Sequence, residues 1–290
     1  MKSISIIVTN WNSVKLLQKY FPQVIKTAEL AQEIIFADDA STDDSVEYIS
    51  NLKKINPKIR IISQKTNLGF GGNSNEAVKQ ATGDLVVLLN SDIFPHPGYL
   101  TPALKHFSDP HIFGVGFAEI SHENYAKLMW RHGYFEHSPE FSDHTHISGW
   151  VSGGSSIIRR DLFLKLGGFD HVYSPFYSED LDICYRAWKS GYKCLWEPSC
   201  RVEHHHESTM SKFPKYTLEY VKERNRLLTV WRNITDPQMR LENRLAQFGR
   251  ILSGPNYIKI ILAAKRQLAI SKPPVVFSKI TDREIFDMFL

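Results

Sequence analysis

The first ninety residues repeat one pattern three times and then begin it a fourth time: a short apolar run, then polar residues, then a stretch with helical character. The apolar runs are residues 4–8, 34–37, 59–62 and 85–89. Strands that are apolar on both faces and alternate with helices are typical of a parallel sheet covered by helices. We therefore predict an α/β fold here, with ligands bound at the carboxyl ends of the strands.

Polar clusters follow three of these predicted strands. They are Thr9-Asn10, Asp38-Asp39 and Asn90-Ser91-Asp92. A hard cation such as Mg²⁺ or Mn²⁺ binds one or two carboxylates, retains water and contacts phosphate oxygens of a substrate. A single aspartate at a strand end is a weak signal, and the second one at a neighbouring strand end strengthens it. Asp92 is therefore a candidate metal ligand, with Asp38 near it.

Two common nucleotide-binding motifs are missing from the sequence. A Rossmann dinucleotide site requires G-x-G-x-x-G directly after the first strand, but residues 10–13 contain no glycine. The P-loop pattern G-x-x-x-x-G-K-[ST] does not occur either. The glycines of residues 69–72 follow the third strand, and we predict that they form a turn ahead of a helix that begins near Ser74. NAD, FAD and P-loop chemistry are therefore not expected.

The chain lacks the sequence features of membrane-spanning and secreted proteins. Its longest apolar run, residues 85–89, is far shorter than the ~20 residues that a membrane span requires. The apolar start of the chain is too short for a signal peptide. Cys184, Cys194 and Cys200 are odd in number and form no C-x-x-C pair, so we expect reduced thiols. These features predict a cytoplasmic protein.

The alternation of strands and helices ends after about residue 95. Residues 119–148 are polar and rich in histidine, which predicts a long loop or short irregular strands. A helix is expected over residues 179–189, and helices again from Pro214 onward, interrupted by prolines and glycine.

Positive charge is concentrated in the last third of the chain. Residues 1–200 contain 19 Lys and Arg against 22 Asp and Glu, whereas residues 201–290 contain 16 against 9. Between residues 212 and 272 the basic residues are interleaved with aromatic and aliphatic ones. This pattern predicts either an amphipathic helix on an anionic membrane surface or a helical subdomain that packs on the rest of the chain or on a second subunit.

The ordered set of short motifs resembles family 2 glycosyltransferases of the GT-A fold, in particular rhamnosyltransferase-like enzymes of bacterial glycan synthesis. The motifs of the first half are residues 5–12, residues 36–43, Asn67-Leu68-Gly69-Phe70 and Asn90-Ser91-Asp92. Those of the second half are Gly153-Gly154, Arg159-Arg160, Gly167-Gly168-Phe169-Asp170, Glu179-Asp180-Leu181-Asp182, Arg186 and Gly191-Tyr192. The resemblance covers residues 4 to about 208.

The resemblance implies a role for each matching residue. Asp38 would accept the imide N–H of a uracil or thymine base, and Thr9 would line the same base. Asn90-Ser91-Asp92 matches a D-x-D motif with Asn in its first position, so Asp92 would bind Mn²⁺ or Mg²⁺, and His204 would complete the coordination. Asp180 would be the base that deprotonates the acceptor hydroxyl. The remaining residues implied at the substrate site are Asn10, Asn67, Gly69, Asn90, Ser91, Gly154 and Glu179.

The resemblance implies an inverting glycosyltransferase. It would move a sugar from a UDP- or dTDP-sugar to a hydroxyl of a glycan or lipid-linked glycan acceptor in polysaccharide or lipopolysaccharide synthesis. One alternative is a nucleotidyltransferase, although such enzymes usually carry a glycine- and lysine-rich loop after the first strand, and none is present here. Another is a catalytically inactive GT-A-like binding protein. Without the resemblance, Glu179, Asp180 and Asp182 would be taken for acids that stabilise the start of a helix.

The expected architecture is a mostly parallel central sheet flanked by helices, with a helical C-terminal extension. We place a GT-A catalytic domain at residues 1–210, with a nucleotide-binding half at 1–95 and an acceptor-binding half at 96–210. The basic helical region would occupy residues 211–290. We expect no nucleic-acid partner, and a homodimer is left open.

Overall fold

The structure is a computed structural model that describes residues 2–120, 125–205, 214–274, 276 and 278–290. Its first part alternates strands and helices: β1 (Ile4–Asn10), α1 (Val14–Lys26), β2 (Glu33–Asp38), α2 (Ser45–Ile55), β3 (Ile59–Ser63), α3 (Gly69–Gln80) and β4 (Leu85–Asn90). The four strands are parallel and lie in the order β3-β2-β1-β4. Every residue of β1 and β2 is buried, including the polar residues at their ends. The predicted parallel α/β unit is confirmed.

The middle of the chain extends this sheet with strands of mixed direction. Its elements are β5 (Ile93–Pro95), α4 (Thr101–Leu104), β6 (Ile112–Glu119), β7 (Tyr125–Arg131), β8 (Tyr134–Glu140), β9 (His146–Ile147), β10 (Ser155–Arg159), α5 (Arg160–Lys165), α6 (Glu179–Lys189) and β11 (Lys193–His204). Strand β10 runs antiparallel to both β4 and β6, whereas β11 runs parallel to β6. Within the described ranges, nine strands form this sheet, in the order β3-β2-β1-β4-β10-β6-β11-β5 with β9 beside β11.

Much of the segment predicted as a long loop or short irregular strands, residues 119–148, forms a regular β-hairpin. Strands β7 and β8 pair antiparallel from Tyr125 opposite Glu140 to Arg131 opposite Tyr134. His132 and Gly133 form the turn with positive φ angles of 52° and 76°. The polar side chains of the hairpin are exposed or half-buried, and residues 121–124 lie outside the described part of the chain.

Helix α3 begins at Gly69 rather than near Ser74 as predicted. Its glycines allow close contact with the segment after α5: a Cβ at Gly71 would lie 3.2 Å from the Cβ of Phe169. The side chain of Asn75 also accepts a hydrogen bond from the amide of Phe169 and donates one to its carbonyl, both at 2.8 Å. Tertiary packing therefore outweighs the low helix propensity of glycine here.

The C-terminal region is helical, as predicted, and contains α7 (Lys215–Asn233), α8 (Pro237–Ser253), α9 (Tyr257–Ile270) and α10 (Asp282–Asp287). Leu227 and Leu228 of α7 belong to the same buried cluster as Trp188 of α6. The core is therefore continuous across residue 210. The division of the chain into a catalytic domain at 1–210, with halves 1–95 and 96–210, and a basic region at 211–290 stays a prediction. Within the described residues, no helix is long and apolar enough to cross a membrane. The three cysteines are free and buried.

Candidate active site

A cavity of about 430 Å³ opens at the carboxyl ends of β1 and β4. The first turns of α3 and α6 and the end of β11 also contribute to its wall. Most of the predicted site residues line this cavity: Thr9, Asn10, Asn67, Gly69, Asn90, Ser91, Asp92, Gly154, Glu179, Asp180 and His204. Asp38 is the predicted site residue that does not.

Asp38 instead holds the ends of two neighbouring strands together. Its Oδ1 accepts hydrogen bonds from Asn10 Nδ2 at 3.0 Å and from Ser41 Oγ at 2.5 Å, and its Oδ2 accepts one from the Ser41 amide at 3.0 Å. Asp39 lines the cavity, and its Oδ1 accepts a hydrogen bond from the Leu68 amide at 2.7 Å. Burial and the nearby charge of Asp38 raise the pKa of Asp39, against the lowering effect of backbone amides. The cavity is thus lined by Asp39 rather than by Asp38, and the role of Asp38 in binding the base stays a prediction.

The cavity floor depends on close contact between β4 and the segment before β10. The amide of Asn90 donates to the carbonyl of Gly154 at 2.9 Å. A Cβ at Gly154 would lie only 2.3 Å from Nδ2 of Asn90, so glycine is the residue that fits. Thr9 Oγ1 lies 3.5 Å from Oδ1 of the same Asn90. These contacts bring residues from β1, β4 and β10 to one point.

The turn before α3 forms another part of the wall. Oδ1 of Asn67 accepts a hydrogen bond from the amide of Gly69 at 3.0 Å. Gly69 has a φ of +73°, in the left-handed region that favours glycine, and a Cβ there would lie 3.1 Å from the carbonyl oxygen of Pro175. The turn predicted from the glycines thus ends at Gly69, where it meets the segment that leads into α6.

Asp92 has the surroundings of a cation ligand. It is 2% exposed, and its Oδ2 has no hydrogen-bond partner among the residues that the structure describes. Its Oδ1 lies 3.3 Å from Nε2 of His204, whose Nδ1 lies 3.0 Å from Oε2 of Glu119. Burial lowers the pKa of His204, but the hydrogen bonds and charges of Asp92 and Glu119 outweigh this effect and raise it to about 9. A buried oxygen without a donor suits a positive ion in the cavity.

These side chains fit a hard cation, which takes few protein ligands and keeps water or phosphate oxygens in the rest of its coordination shell. Groups of three or more His, Cys, Asp or Glu side chains arranged to hold a metal do not occur among the described residues. Asp92 and His204 would therefore supply the protein part of a site that a substrate diphosphate completes.

Helix α6 begins with two acids that line the cavity, Glu179 and Asp180. Glu179 is 8% exposed and Asp180 is half-buried. Burial raises the pKa of both carboxyl groups, and the charges of Asp180 and Asp182 raise that of Glu179 further. Hydrogen bonds from the amides of Leu181 and Gly153 partly counteract this for Asp180. A carboxylate with a raised pKa takes up a proton more readily than an ordinary one.

Asp182, the third acid of this turn, has a structural role. Its Oδ2 pairs with the buried Arg186 guanidinium at 2.6 Å. Its Oδ1 accepts hydrogen bonds from the Tyr173 hydroxyl at 2.9 Å and from Asn233 Nδ2 at 2.8 Å. With both oxygens engaged, Asp182 is not placed to accept a proton from a substrate.

The segment that leads into α6 has a strained backbone. Tyr177 and Ser178 have φ angles of 72° and 78°, and left-handed geometry costs a non-glycine residue roughly 1–2 kcal/mol. The buried side chain of Asn225 on α7 holds this segment: its Nδ2 donates to the carbonyls of Tyr173, Phe176 and Tyr177 at 3.0, 2.8 and 2.7 Å. The C-terminal region thus positions the start of α6.

Several cavity residues escaped the sequence reasoning: Trp11, Leu16, Asp39, Phe70, Asn73, Ser152, Gly153, Pro175, Phe176 and Tyr177. Four of them, Trp11, Asp39, Phe70 and Gly153, stand directly beside predicted residues, so adjacency was the available signal. Phe176 and Tyr177 reach the cavity through the backbone geometry that Asn225 maintains, and no local pattern indicates it.

Comparison with known families and proteins agrees with this geometry. The family model described as Glycosyl transferase family 2 matches residues 5–167, more than half of the chain. The chain is 23% identical over 234 residues to N-acetylglucosaminyl-diphospho-decaprenol L-rhamnosyltransferase of Mycobacterium tuberculosis (strain CDC 1551 / Oshkosh), covering 68% of this chain and 74% of that protein.

Another relative is uncharacterized protein y4gI of Sinorhizobium fredii (strain NBRC 101917 / NGR234), which is 22% identical over 291 residues. The match covers 88% of this chain but only 30% of that protein, so the chain spans less than a third of that relative's length. Among solved structures, GalNAc-T7 with UDP, GalNAc and Mn²⁺ has a TM-score of 0.63 and 18% identity, covering 80% of this chain and 49% of that one. The likeness establishes an α/β fold of the GT-A type, with helices added at the C-terminus.

Proposed function

Because the chain belongs to glycosyl transferase family 2, we propose that it moves a sugar from a UDP- or dTDP-sugar to a hydroxyl of a glycan or lipid-linked glycan. One observation carries the proposal: Asp92, with its unpartnered buried oxygen, and the Glu179-Asp180 pair line the same cavity at the strand ends. Such a cavity can hold a diphosphate near one acid and an acceptor hydroxyl near the other.

We propose that the nucleoside occupies the β1–β2 side of the cavity. Asp39 takes the role first given to Asp38, since its carboxylate accepts hydrogen bonds and suits a base that donates an imide N–H. Thr9, Asn10, Asn67 and Gly69 line the base and ribose, and Asn90, Ser91 and Gly154 line the sugar diphosphate. The UDP in the GalNAc-T7 structure supports a uridine donor.

Asp92 and His204 would hold Mn²⁺ or Mg²⁺. When bound, the ion neutralises the diphosphate as it leaves and so assists its departure. The Mn²⁺ in the GalNAc-T7 structure supports this cofactor. Glu119 accepts a hydrogen bond from the second ring nitrogen of His204 and so orients the imidazole toward Asp92.

Asp180 is the proposed base. It takes the proton of the acceptor hydroxyl while the hydroxyl oxygen attacks the anomeric carbon and the nucleoside diphosphate leaves. A single displacement of this kind inverts the anomeric configuration. Glu179, with its raised pKa, carries a proton more often than an ordinary carboxyl group, and in that form it can donate a hydrogen bond that orients the acceptor.

The acceptor we favour is lipid-linked, since the mycobacterial relative is named for N-acetylglucosaminyl-diphospho-decaprenol. Such an acceptor would place the protein in the cytoplasm at the inner face of a membrane. A role in polysaccharide or lipopolysaccharide synthesis follows, and a homodimer stays open. A nucleotidyltransferase or an inactive GT-A-like binding protein remains as an alternative that experiment must separate from this one.

The test is a panel of UDP-, dTDP- and GDP-sugars with Mn²⁺, with Mg²⁺ or with EDTA, measured by thermal shift and by release of nucleoside diphosphate. We expect stabilisation by a uridine or thymidine donor only when a divalent ion is present. Asp92→Ala should abolish the metal-dependent part of that stabilisation, while the Tm of the free protein is retained. Full turnover in EDTA would contradict the metal assignment, and binding without any turnover would favour the inactive binding protein.

A further inference from the structure

Helix α8 carries a row of exposed apolar side chains. Leu241, Leu245, Phe248 and Leu252 are spaced by four, three and four residues, which places them on one face of the helix. Leu245, Phe248 and Leu252 are 63%, 61% and 70% exposed. Large side chains that are mostly in water on one helix face are unusual, and a contiguous patch of them indicates an interaction surface.

Helix α9, which contacts α8, also exposes apolar side chains. Its Ile258 and Leu262 are each 48% exposed. We call these six residues of α8 and α9 the α8–α9 face: Leu241, Leu245, Phe248, Leu252, Ile258 and Leu262.

The core contacts of α8 and α9 are made by other side chains. Met239, Asn243 and Gln247 of α8 and Ile261 of α9 are buried. Asn243 Nδ2 donates to the carbonyl of Gly133 at 2.7 Å, which anchors α8 on the turn of the β7–β8 hairpin. The α8–α9 face therefore belongs to helices already fixed by their opposite sides, and it needs no part of the core to be displaced.

The charge along α8 and α9 is mostly positive. Residues 237–272 contain seven Lys and Arg and a single acid, Glu242. Glu242 is engaged by Trp130, whose Nε1 donates to it at 2.6 Å. Arg244, Lys259 and Lys265 are exposed on α8 and α9. Exposed apolar side chains on the same helices as exposed cations are suited to bind a lipid surface, which has anionic headgroups above a hydrocarbon interior.

We propose that the α8–α9 face docks on an anionic lipid bilayer, with both helices lying in the interface and their cations against the headgroups. A second copy of the chain is a poorer occupant, because a two-fold interface brings each patch against itself and would oppose like charges. A nucleic acid would satisfy the cations but would leave the leucines and Phe248 in water. Membrane docking rests on the proposed function in one respect, because a lipid-linked acceptor lies in a membrane. Binding of the α8–α9 face to lipid does not itself require sugar transfer.

The test is flotation of the full-length chain with vesicles of phosphatidylcholine alone or mixed with phosphatidylglycerol. We expect binding only to the anionic vesicles, weaker at high salt. Leu245→Gln/Phe248→Gln should bind at least about tenfold more weakly, since both side chains lose their apolar area. Ile55→Gln is the matched control, because Ile55 is 81% exposed on α2, outside this face. Leu252→Gln provides a second variant should the double one fold poorly, as judged by circular dichroism.

A charge arm uses Arg244→Gln/Lys259→Gln against Lys53→Gln/Lys54→Gln, a pair of exposed lysines on α2. Arg244→Gln/Lys259→Gln should bind anionic vesicles more weakly and with a smaller dependence on salt. Lys53→Gln/Lys54→Gln should bind them as the unmodified protein does. The proposal is overturned by no binding at low salt, by unchanged binding of the α8 variants, by equal affinity for duplex DNA, or by a dimer that the same variants dissociate. Thermal shift with donor sugars separates the membrane proposal from the proposed function. If neither the unmodified protein nor any of these variants binds a donor sugar, the proposed function is overturned and the membrane proposal is not.

Discussion

Asp180 and Glu179 are adjacent in sequence but differ in their surroundings. Glu179 is almost completely buried beside two other acids, whereas Asp180 is half-buried and its Oδ1 accepts a hydrogen bond from the Leu181 amide at 2.8 Å. Asp182 is held in the ion pair with Arg186. Asp180 is thus the more exposed of the two acids that line the cavity, and we propose it, rather than Glu179, as the base.

Asp180→Asn keeps the size and shape of the side chain but cannot take a proton. We expect it to lose about 10²–10⁴-fold in transfer rate while donor affinity stays near that of the unmodified protein. Glu179→Gln should have a milder effect, because a group that carries a proton resembles an amide in charge. Single-turnover transfer and donor titration measure the two quantities. Near-normal transfer by the Asp180 variant, or a product that retains the donor's anomeric configuration, would show that the base lies elsewhere.

Asp38 and Asp39 give a second contrast between neighbours. Asp39→Asn should weaken donor binding by about 10- to 100-fold, since a hydrogen bond to a charged group contributes roughly 1.5–3 kcal/mol. Asp38→Asn should instead lower the Tm, because it replaces an acceptor that receives three hydrogen bonds at the ends of β1 and β2. Isothermal titration and thermal unfolding of both variants separate the roles. The reverse pattern would return the base-binding role to Asp38.

At the scale of elements, helix α7 joins the C-terminal region to the catalytic cavity. Asn225 is fully buried and bonds three carbonyls of the segment before α6. Arg224 donates to a fourth, that of Ser174, at 2.5 Å. The left-handed residues Tyr177 and Ser178 are thus held by side chains that come from nearly fifty residues later in the chain.

Asn225→Asp should lower kcat more than it raises the KM for the donor, because an aspartate cannot donate to the carbonyls that set the start of α6. Asn243→Asp is the matched control: Asn243 is equally buried and bonds a single carbonyl, that of Gly133, in the hairpin turn. We expect both variants to lose stability, by about 1–3 kcal/mol for each buried group left unpaired, but only the first to lose turnover. Equal loss of kcat in both would reduce Asn225 to a purely structural role.

At the scale of the whole molecule, one carboxylate links all four parallel strands at the edge opposite the cavity. Glu33 at the start of β2 accepts hydrogen bonds from Ser5 of β1 at 2.6 Å and from Thr82, before β4, at 2.7 Å, and it pairs with Arg60 of β3. Burial raises the pKa of Glu33, but these hydrogen bonds outweigh it and lower the pKa to about 2.

A carboxyl group with a lowered pKa in the folded state stabilises the fold above its unfolded value of 4.5 and loses that contribution as the pH falls toward about 2. Glu33→Gln should therefore be less stable at neutral pH and show a flatter decline between these values, since the glutamine does not titrate. Urea unfolding across this range is the measurement. Glu47→Gln, at an exposed position of α2, is the control and should keep the original slope. An unchanged slope for Glu33→Gln would assign the acid sensitivity to other carboxylates such as Glu197.

Local patterns in the sequence were sufficient for the four parallel strands and for where their ends lie. Continuous apolar runs such as residues 85–89 have no stable place except inside a covered sheet, and parallel strands bring their polar carboxyl ends to one edge. This is why Thr9, Asn10, Asn90, Ser91 and Asp92 line one cavity, whereas the other predicted residues that line it were named from the family resemblance. The boundaries of α6 were equally local, because an acidic start and a glycine after the last turn define them.

The tertiary structure decided what depends on distant partners. Helix α3 begins at Gly69 because Phe169 and Asn75 pack there, and residues 125–140 form a hairpin because one face of it is covered. Asp39 rather than Asp38 faces the cavity because Asn10 and Ser41 already occupy the Asp38 carboxylate. Each of these outcomes depends on hydrogen bonds and packing contacts between residues that are far apart in the sequence. Local propensity contains no information about such contacts.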